Sequence, residues 1–540
     1  MIGLKELKLN SCYSVFCGAG ISVNSGIPIV VSFQSYLLKA LGVSEEHREL
    51  ILNSGMPFEV FMESINDLSD IAILLSMFNL GTPNHTHRYL AHEISQGRIA
   101  LILTTNFDCH LENALTEIGL KENQDFRVIH DDFGSMNIDQ ESIKCPVIVK
   151  LHGCFKKTQQ LGIVMKAVAS RRKREEVQPV INSFMNNASS EKIVFMGYSF
   201  SDHFDITPAI EDSFQSDKSI LVIEHCNEYR SDFKKANGSL IKYANAYSVH
   251  TNTCIEVEEC GFARVSYRSD NKWRQIVDDW LSSTVSISKS LPKIIELELL
   301  LKSIRYKEAI EIGECMINEF SQRNKWFAQA AGSLGIAYYR QKYFCLAFRM
   351  HRKSLSIAKE IKEPRLEHRA LSNMANVLYN KNKERWAIPL LNRAVEIAKD
   401  VKCDNLLAIA YSNLSMNLSR FDRQKSVMLL RDALDIYIEL GDVVNIGRCK
   451  INLGIELYFL KDYEEALTLL LEGKDYCYKN GQNSNLIYSL IYLGFISFKN
   501  NNISESIAYY RQANDVSDEF GISLIEHRLK ELATLLDGYL

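Results

Sequence analysis

Thirteen cysteines are scattered from Cys12 to Cys477, yet no two of them form a C-x-x-C pair. That absence removes the usual cysteine frameworks for structural zinc and leaves no disulfide pattern to read. They read as reduced, mostly buried small apolar residues of a cytoplasmic protein. No stretch of about 18 uninterrupted apolar residues occurs, and the start, "MIGLKELKLNSCYSVF", lacks a long apolar core. A soluble, unsecreted chain with no membrane partner is the expectation. Charge of one sign is also missing: 62 Lys and Arg against 66 Asp and Glu give a formal net charge of −4, so nucleic acid is not an expected partner. Proline is nearly absent after Pro292, where only Pro364 and Pro389 remain.

What is present divides in two. A chain of 540 residues with 46% hydrophobic content buries more than one core. Up to about residue 285, short runs rich in Val and Ile ("YSVFCGAG", "IALILTTN", "CPVIVKLHG", "KIVFMGYS", "SILVIE") alternate with helical patterns. Each run ends in small or polar residues, the pattern of a parallel sheet with crossover helices. The Ser-rich stretch "SSTVSISKSLPK" (282–293) marks the boundary. The expected organisation is therefore an α/β Rossmann-like domain over 1–285 and an all-α domain over 286–540.

The second part repeats. Leu334, Met374, Leu414, Leu453 and Leu493 recur at intervals of 40, 40, 39 and 40, and Ala347, Ala387, Ser426, Ala466 and Ser506 keep the same rhythm. An apolar anchor followed by a small residue lets two antiparallel helices approach closely, and each pair buries its open face on the next. This resembles a tetratricopeptide-type solenoid with lengthened repeats, "YKEAIEIGECMI" (306–317) being the second helix of an earlier unit. Pro389 should distort the helix that holds it. Tyr338, Asn376, Asn417 and Glu456 are candidates for a concave groove that takes a protein or peptide, with core packing as the competing reading of Tyr338.

The chemistry lies upstream. In "CGAGISVNSGIPI" (17–29), Gly18 and Gly20 follow a strand and allow a tight turn, while Ser22 and Ser25 offer hydroxyls. Downstream come "PNHTHRYLA" (83–91), "TTNFD" (104–108), "KLHG" (150–153) and "GYSFSD" (197–202). This ordered set resembles the signatures of the sirtuin family over about residues 11 to 225. The resemblance implies an NAD site with Gly18, Ala19, Gly20 and Ser22 along the phosphates. Asn106 and Asp108 would stand by the nicotinamide ribose, His152 would be the base facing it, and Gly197 and Ser199 would border the adenosine half. Asp108 has a second reading, as N-cap of the helix "CHLENAL".

Departures from the family choose among reactions. Val31 stands where the protein deacylases carry an arginine after Gly-Ile-Pro, and Thr105 where they carry a glutamine. After the His-Gly only Cys154 remains of the paired cysteines that hold their zinc, so no metal is expected. "RRKREE" (171–176) reads as a solvated helix face. A zinc-less sirtuin-like domain followed by helical repeats resembles bacterial antiphage effectors that destroy NAD. The expectation is an NAD glycohydrolase with Asn106 and His152 as catalytic residues, a homo-oligomer whose repeats answer to a phage protein or peptide. An NAD-dependent deacylase and a non-catalytic NAD or ADP-ribose sensor are the alternatives.

Overall fold

The computed structural model describes residues 12–22, 25–130, 145–154, 173–187, 190, 192–198, 206–213, 219–224, 233–236, 239–245, 272–320, 322–479, 483–520 and 526–539. The chain forms two compact units, Met1–Leu299 and Leu300–Leu540. This division lies beyond the sequence-based boundary at 285/286, because the Ser-rich stretch is largely helical. Lys272–Ile287 and Leu291–Lys302 are both helices. In the first, Trp273, Val277, Trp280 and Thr284 fall three or four residues apart and are buried. Trp280 Nε1 donates to the Asp70 carbonyl at 2.8 Å, and Thr284 meets the Ser69 hydroxyl at 3.1 Å. Spacing on one helical face outweighs the weak helix preference of serine.

Unit one is built on β1 (Tyr13–Cys17), β2 (Ile99–Thr104), β3 (Arg127–Ile129), β4 (Val147–Lys150), β5 (Lys192–Met196), β6 (Ser219–Glu224), β7 (Phe233–Ala236) and β8 (Ser239–Asn245). Their order is β3-β4-β2-β1-β5-β6-β8-β7, parallel throughout except for the antiparallel β7–β8 pair. Strand β1 lies between β2 and β5, with Tyr13 opposite Lys192 and Cys17 opposite Met196. All five of its residues are buried, as a strand covered on both faces requires. Successive side chains go to opposite faces. Tyr13, Val15 and Cys17 join Leu90, Ile94 and Leu111, whereas Phe16 joins Phe184, Phe195 and Tyr198.

Among the described residues, unit two carries five helix pairs. Their first members are Lys325–Arg340, Pro364–Asn380, Asp404–Leu418, Val443–Leu460 and Asn483–Lys499; the second are Phe344–Glu360, Glu384–Asp400, Arg423–Glu439, Tyr463–Lys479 and Ile503–Phe520. Every apolar anchor and every small residue of the repeat is buried. Where the small residue is serine its hydroxyl is satisfied: Ser426 donates to the Ser415 carbonyl at 3.0 Å and Ser506 to the Gly494 carbonyl at 2.8 Å. The expected distortion at Pro389 is corrected, since Glu384–Asp400 runs through it unbroken. Pro389 and Arg385 are both exposed, so the carbonyl that loses its helical partner faces water. The groove candidates also change, because Tyr338, Asn417 and Glu456 are buried and only Asn376 is half-exposed.

The turns keep their own rhythm. Lys342, Lys362, Asn382, Lys402, Gly441, Lys461 and Asn501 all have positive φ and close the turn after a helix. Ile304 does the same between Leu291–Lys302 and Tyr306–Glu319, at φ 60° and 70% exposed. A β-branched residue in the left-handed region is strained, and exposure means that its side chain offsets little of the cost. Ile304→Gly should therefore raise stability by about 1 kcal/mol. Urea denaturation measures it, and a lower midpoint for the variant would contradict the strain.

Candidate active site at the carboxyl edge of the sheet

The ends of β1, β2, β4 and β5 are stitched together by backbone. The Thr105 N–H donates to the Cys17 carbonyl (3.2 Å), that of Leu151 to Thr104 (2.8 Å), and that of Gly18 to Met196 (2.9 Å). The first turn, Ala19–Ser22, is a short 3-10 helix. Gly18, Gly20 and Gly197 interlock here: a Cβ on Gly20 would lie 2.6 Å from the Gly197 Cα, and one on Gly197, at φ +61°, 2.5 Å from the Ile21 nitrogen. The Gly20 N–H donates to the Gly197 carbonyl at 2.9 Å. Close approach of two backbones thus accounts for these glycines, and the Gly18 and Gly20 amides are bonded within the protein. Gly18, Ala19, Gly20, Ser22 and Gly197 lie together; Ser199 and the segment 155–172 that bears on zinc lie outside the described residues.

Ser22 is the hub of a buried polar network. Its Oγ donates to Asp108 Oδ2 (2.7 Å), accepts from Asn106 Nδ2 (3.1 Å) and lies 3.4 Å from His87 Nε2. Asn84, the N-cap of the helix His85–Ser95, adds a bond from Nδ2 to the Ile21 carbonyl at 2.6 Å. The reading of Asp108 as N-cap is corrected: Cys109 holds that place at the start of His110–Glu117, and Asp108 lies one residue before it. Its Oδ1 accepts the His110 N–H at 3.0 Å at the entrance of His110–Glu117, while Oδ2 faces Ser22. Burial opposes ionisation of Asp108, but His87, His110, Lys150 and the Ser22 hydroxyl together hold its pKa below the usual value. Burial pushes the pKa of His87 down to about 3, so that ring is neutral. Asn106 is only 8% exposed, and its Oδ1 is buried without a hydrogen-bond partner.

His152 stands on the turn after β4, closed by Gly153 at φ +90°. Its Nδ1 lies 3.6 Å from Glu59 Oε1, and its ring centroid 6.2 Å from that of Phe107. His152 is buried, and Phe107 follows Asn106 directly, so one aromatic ring joins the two candidate catalytic residues through chain and contact. Val31 is exposed on the first turn of Val30–Ala40.

Beneath Asp108 lies a group that sequence reasoning missed. The Lys150 Nζ donates to the Asp108 carbonyl, to Glu112 Oε1 (2.7 Å) and toward Cys154 Sγ (3.5 Å), and the Cys109 and Cys154 sulfurs are 3.4 Å apart. Burial disfavours the Lys150 ammonium, but Glu112 beside it prevails and raises its pKa above the ordinary lysine value. Cys109, Glu112 and Cys154 are close enough to share a metal ion, yet the ammonium supplies the positive charge among them. Their donor set does not fit zinc while Lys150 stands there. No helix among the described residues is long and apolar enough to cross a membrane.

Comparison with known proteins gives one family match and several distant structural ones. The family described as "SIR2-like domain" matches residues 100–242. No curated protein matches. Among solved structures, the apo form of RapI is 16% identical, covering 46% of this chain and 98% of its own, with a TM-score of 0.36. A Rap protein complexed with competence and sporulation factor is 14% identical over 54% of this chain and 82% of its own, at 0.39. A signal transduction ATPase with numerous domains and a tetratricopeptide repeat sensor, from Pyrococcus horikoshii, is 13% identical over 98% and 91%, at 0.41. The SIR2-like match falls on the parallel sheet of the first unit, and the long run of paired helices follows it in the chain.

Proposed function

We propose that the chain is an NAD glycohydrolase that converts NAD and water to nicotinamide, ADP-ribose and a proton. The observation that carries this reading is the buried, unpartnered Oδ1 of Asn106, held by the Ser22 bond to its Nδ2. A buried acceptor without a donor is costly unless a ligand or water meets it. A water held there would face the ribose carbon as the pyridinium group leaves. The leaving group needs no proton, so the demands are stabilisation of the oxocarbenium character and correct placement of that water. His152 would take the proton of the water or of a ribose hydroxyl, with Glu59 near enough to stabilise the imidazolium that results. Asp108, ionised and close to Asn106 through Ser22, adds negative potential toward the developing cation.

The helix pairs fit a sensor role within this proposal. Unrestrained NAD hydrolysis would harm the host cell, so a phage protein or peptide seated on the repeats would favour the active state, resting turnover being kept low until then. Such a partner must bind the active state more tightly than the resting one, since equal affinity shifts nothing. Assembly into a homo-oligomer belongs to the same proposal.

The test is an assay of the purified protein with NAD, with and without an acylated peptide and with and without a chelator. Nicotinamide release that ignores both additions is expected. Release that requires the acylated peptide would identify a deacylase, and binding of NAD without release, by the purified protein and on co-expression with phage proteins alike, would identify a sensor.

A further inference from the structure

His87 is fully buried in the first turn of the helix His85–Ser95, three residues after the N-cap Asn84. Two bonds join these residues: the His87 N–H donates to Asn84 Oδ1 (3.1 Å), and the Asn84 N–H donates to His87 Nδ1 (3.2 Å). A ring nitrogen that accepts a backbone N–H carries no proton itself. The single proton of a neutral imidazole therefore sits on Nε2, the atom that faces Ser22 Oγ.

The consequence passes along the network. A serine hydroxyl has one hydrogen to give and two lone pairs to fill. At Ser22 the lone pairs face His87 Nε2 and Asn106 Nδ2, and the hydrogen goes to Asp108 Oδ2. No hydrogen remains for the other end of the Asn106 amide. Asn106 must turn its NH₂ toward Ser22, and its Oδ1 is left as the acceptor without a partner.

We propose that His87 is a positioning residue that fixes the Ser22 hydroxyl and, through it, which end of the Asn106 amide is presented to substrate. This rests on the reading of the pocket as an NAD hydrolase and adds to it a residue that touches no reacting atom. The helix cap and the site are coupled by one ring: Nδ1 serves the helix and Nε2 serves the chemistry.

The two nitrogens can be separated by substitution. His87→Asn keeps an acceptor near the Nδ1 position and removes the donor to Ser22; His87→Gln reaches the Nε2 position with an amide NH₂. The expected result for His87→Asn is a fall in kcat on the order of 10- to 100-fold, with NAD affinity and unfolding midpoint close to those of the parent. His87→Gln should restore most of kcat. Parent-like turnover by His87→Asn would overturn the proposal, as would a parallel loss of kcat, affinity and stability in both variants, the mark of a merely structural role. A neutron crystal structure of full-length His87→Asn, which shows the hydrogens, decides independently of activity: Asn106 Nδ2 still on Ser22, and Ser22 still donating to Asp108, would also overturn it. A parent protein that cleaves no NAD, either alone or co-expressed with phage proteins, would instead sink the hydrolase reading, and the crystal structure would still judge His87.

Discussion

Replacing Asn106 by alanine should lower NAD cleavage by a factor on the order of 10²–10⁴, and His152→Ala should do the same. The two losses have different origins. Removing the Asn106 side chain takes away the buried acceptor and also strips a donor from Ser22, so the hydroxyl is freer to reorient. Removing His152 takes away the proton acceptor and leaves the Glu59 carboxylate without that neighbour. Neither side chain belongs to the hydrophobic clusters of the sheet, so both variants should fold. Nicotinamide release, compared at matched circular dichroism, measures the effect. Equal turnover by His152→Ala and the parent would remove His152 from the proposed catalytic pair.

Lys150→Met should destabilise the first unit by about 3–5 kcal/mol. The variant keeps an unbranched chain of similar length, so the loss is chiefly of charge. Lys150 and Glu112 are 1% and 4% exposed at their side chains, and removal of the ammonium leaves a carboxylate buried among two thiols. Stability from the raised lysine pKa is fully present below the ordinary lysine value of 10.5 and is lost only as pH rises through the higher folded value. The effect should therefore be nearly constant from neutral to mildly alkaline pH. Replacing both partners, as Lys150→Met with Glu112→Leu, should recover much of the loss, because burying neither charge costs less than burying one. A double-mutant cycle in urea measures the coupling, and a single-variant loss below about 1 kcal/mol would show that the pair is not desolvated as its burial indicates.

The sequence conveyed the sheet and the repeats well, for identifiable reasons. The five Val- and Ile-rich runs are strands because β1, β2, β4, β5 and β6 have a parallel neighbour on each side. Three-residue β3 is too short to show a period, and "FKKA" and "SLIKYAN" lack the continuous apolar character of the central strands. At the site, Ser22, Asn106 and Asp108 were legible as motif residues, but their joint hydrogen bonding spans 84 to 86 positions of chain and is a property of the folded sheet. His87 did leave a local signal, standing three residues after an N-cap asparagine. Lys150 left none: a lysine at the end of a strand ordinarily reads as solvent-facing, and only the burial of Glu112 beside it reveals the pair.

The apolar cores of the repeats differ in extent along the chain. One cluster runs from Ala408 to Leu536 and joins the last three helix pairs to the terminal helix Glu526–Leu535. The earlier pairs are held by several small clusters, such as Ala328, Ile357, Ala358 and Leu366, or Leu371, Ala394, Ile397 and Ala410. A linear array whose units touch only their neighbours opens wherever the local interface is weakest. Amide hydrogen exchange should accordingly be fastest across Lys325–Asn380 and slowest across Val443–Lys499, so the solenoid has a soft end and a hard end, and any partner that must bend it will meet least resistance at the first.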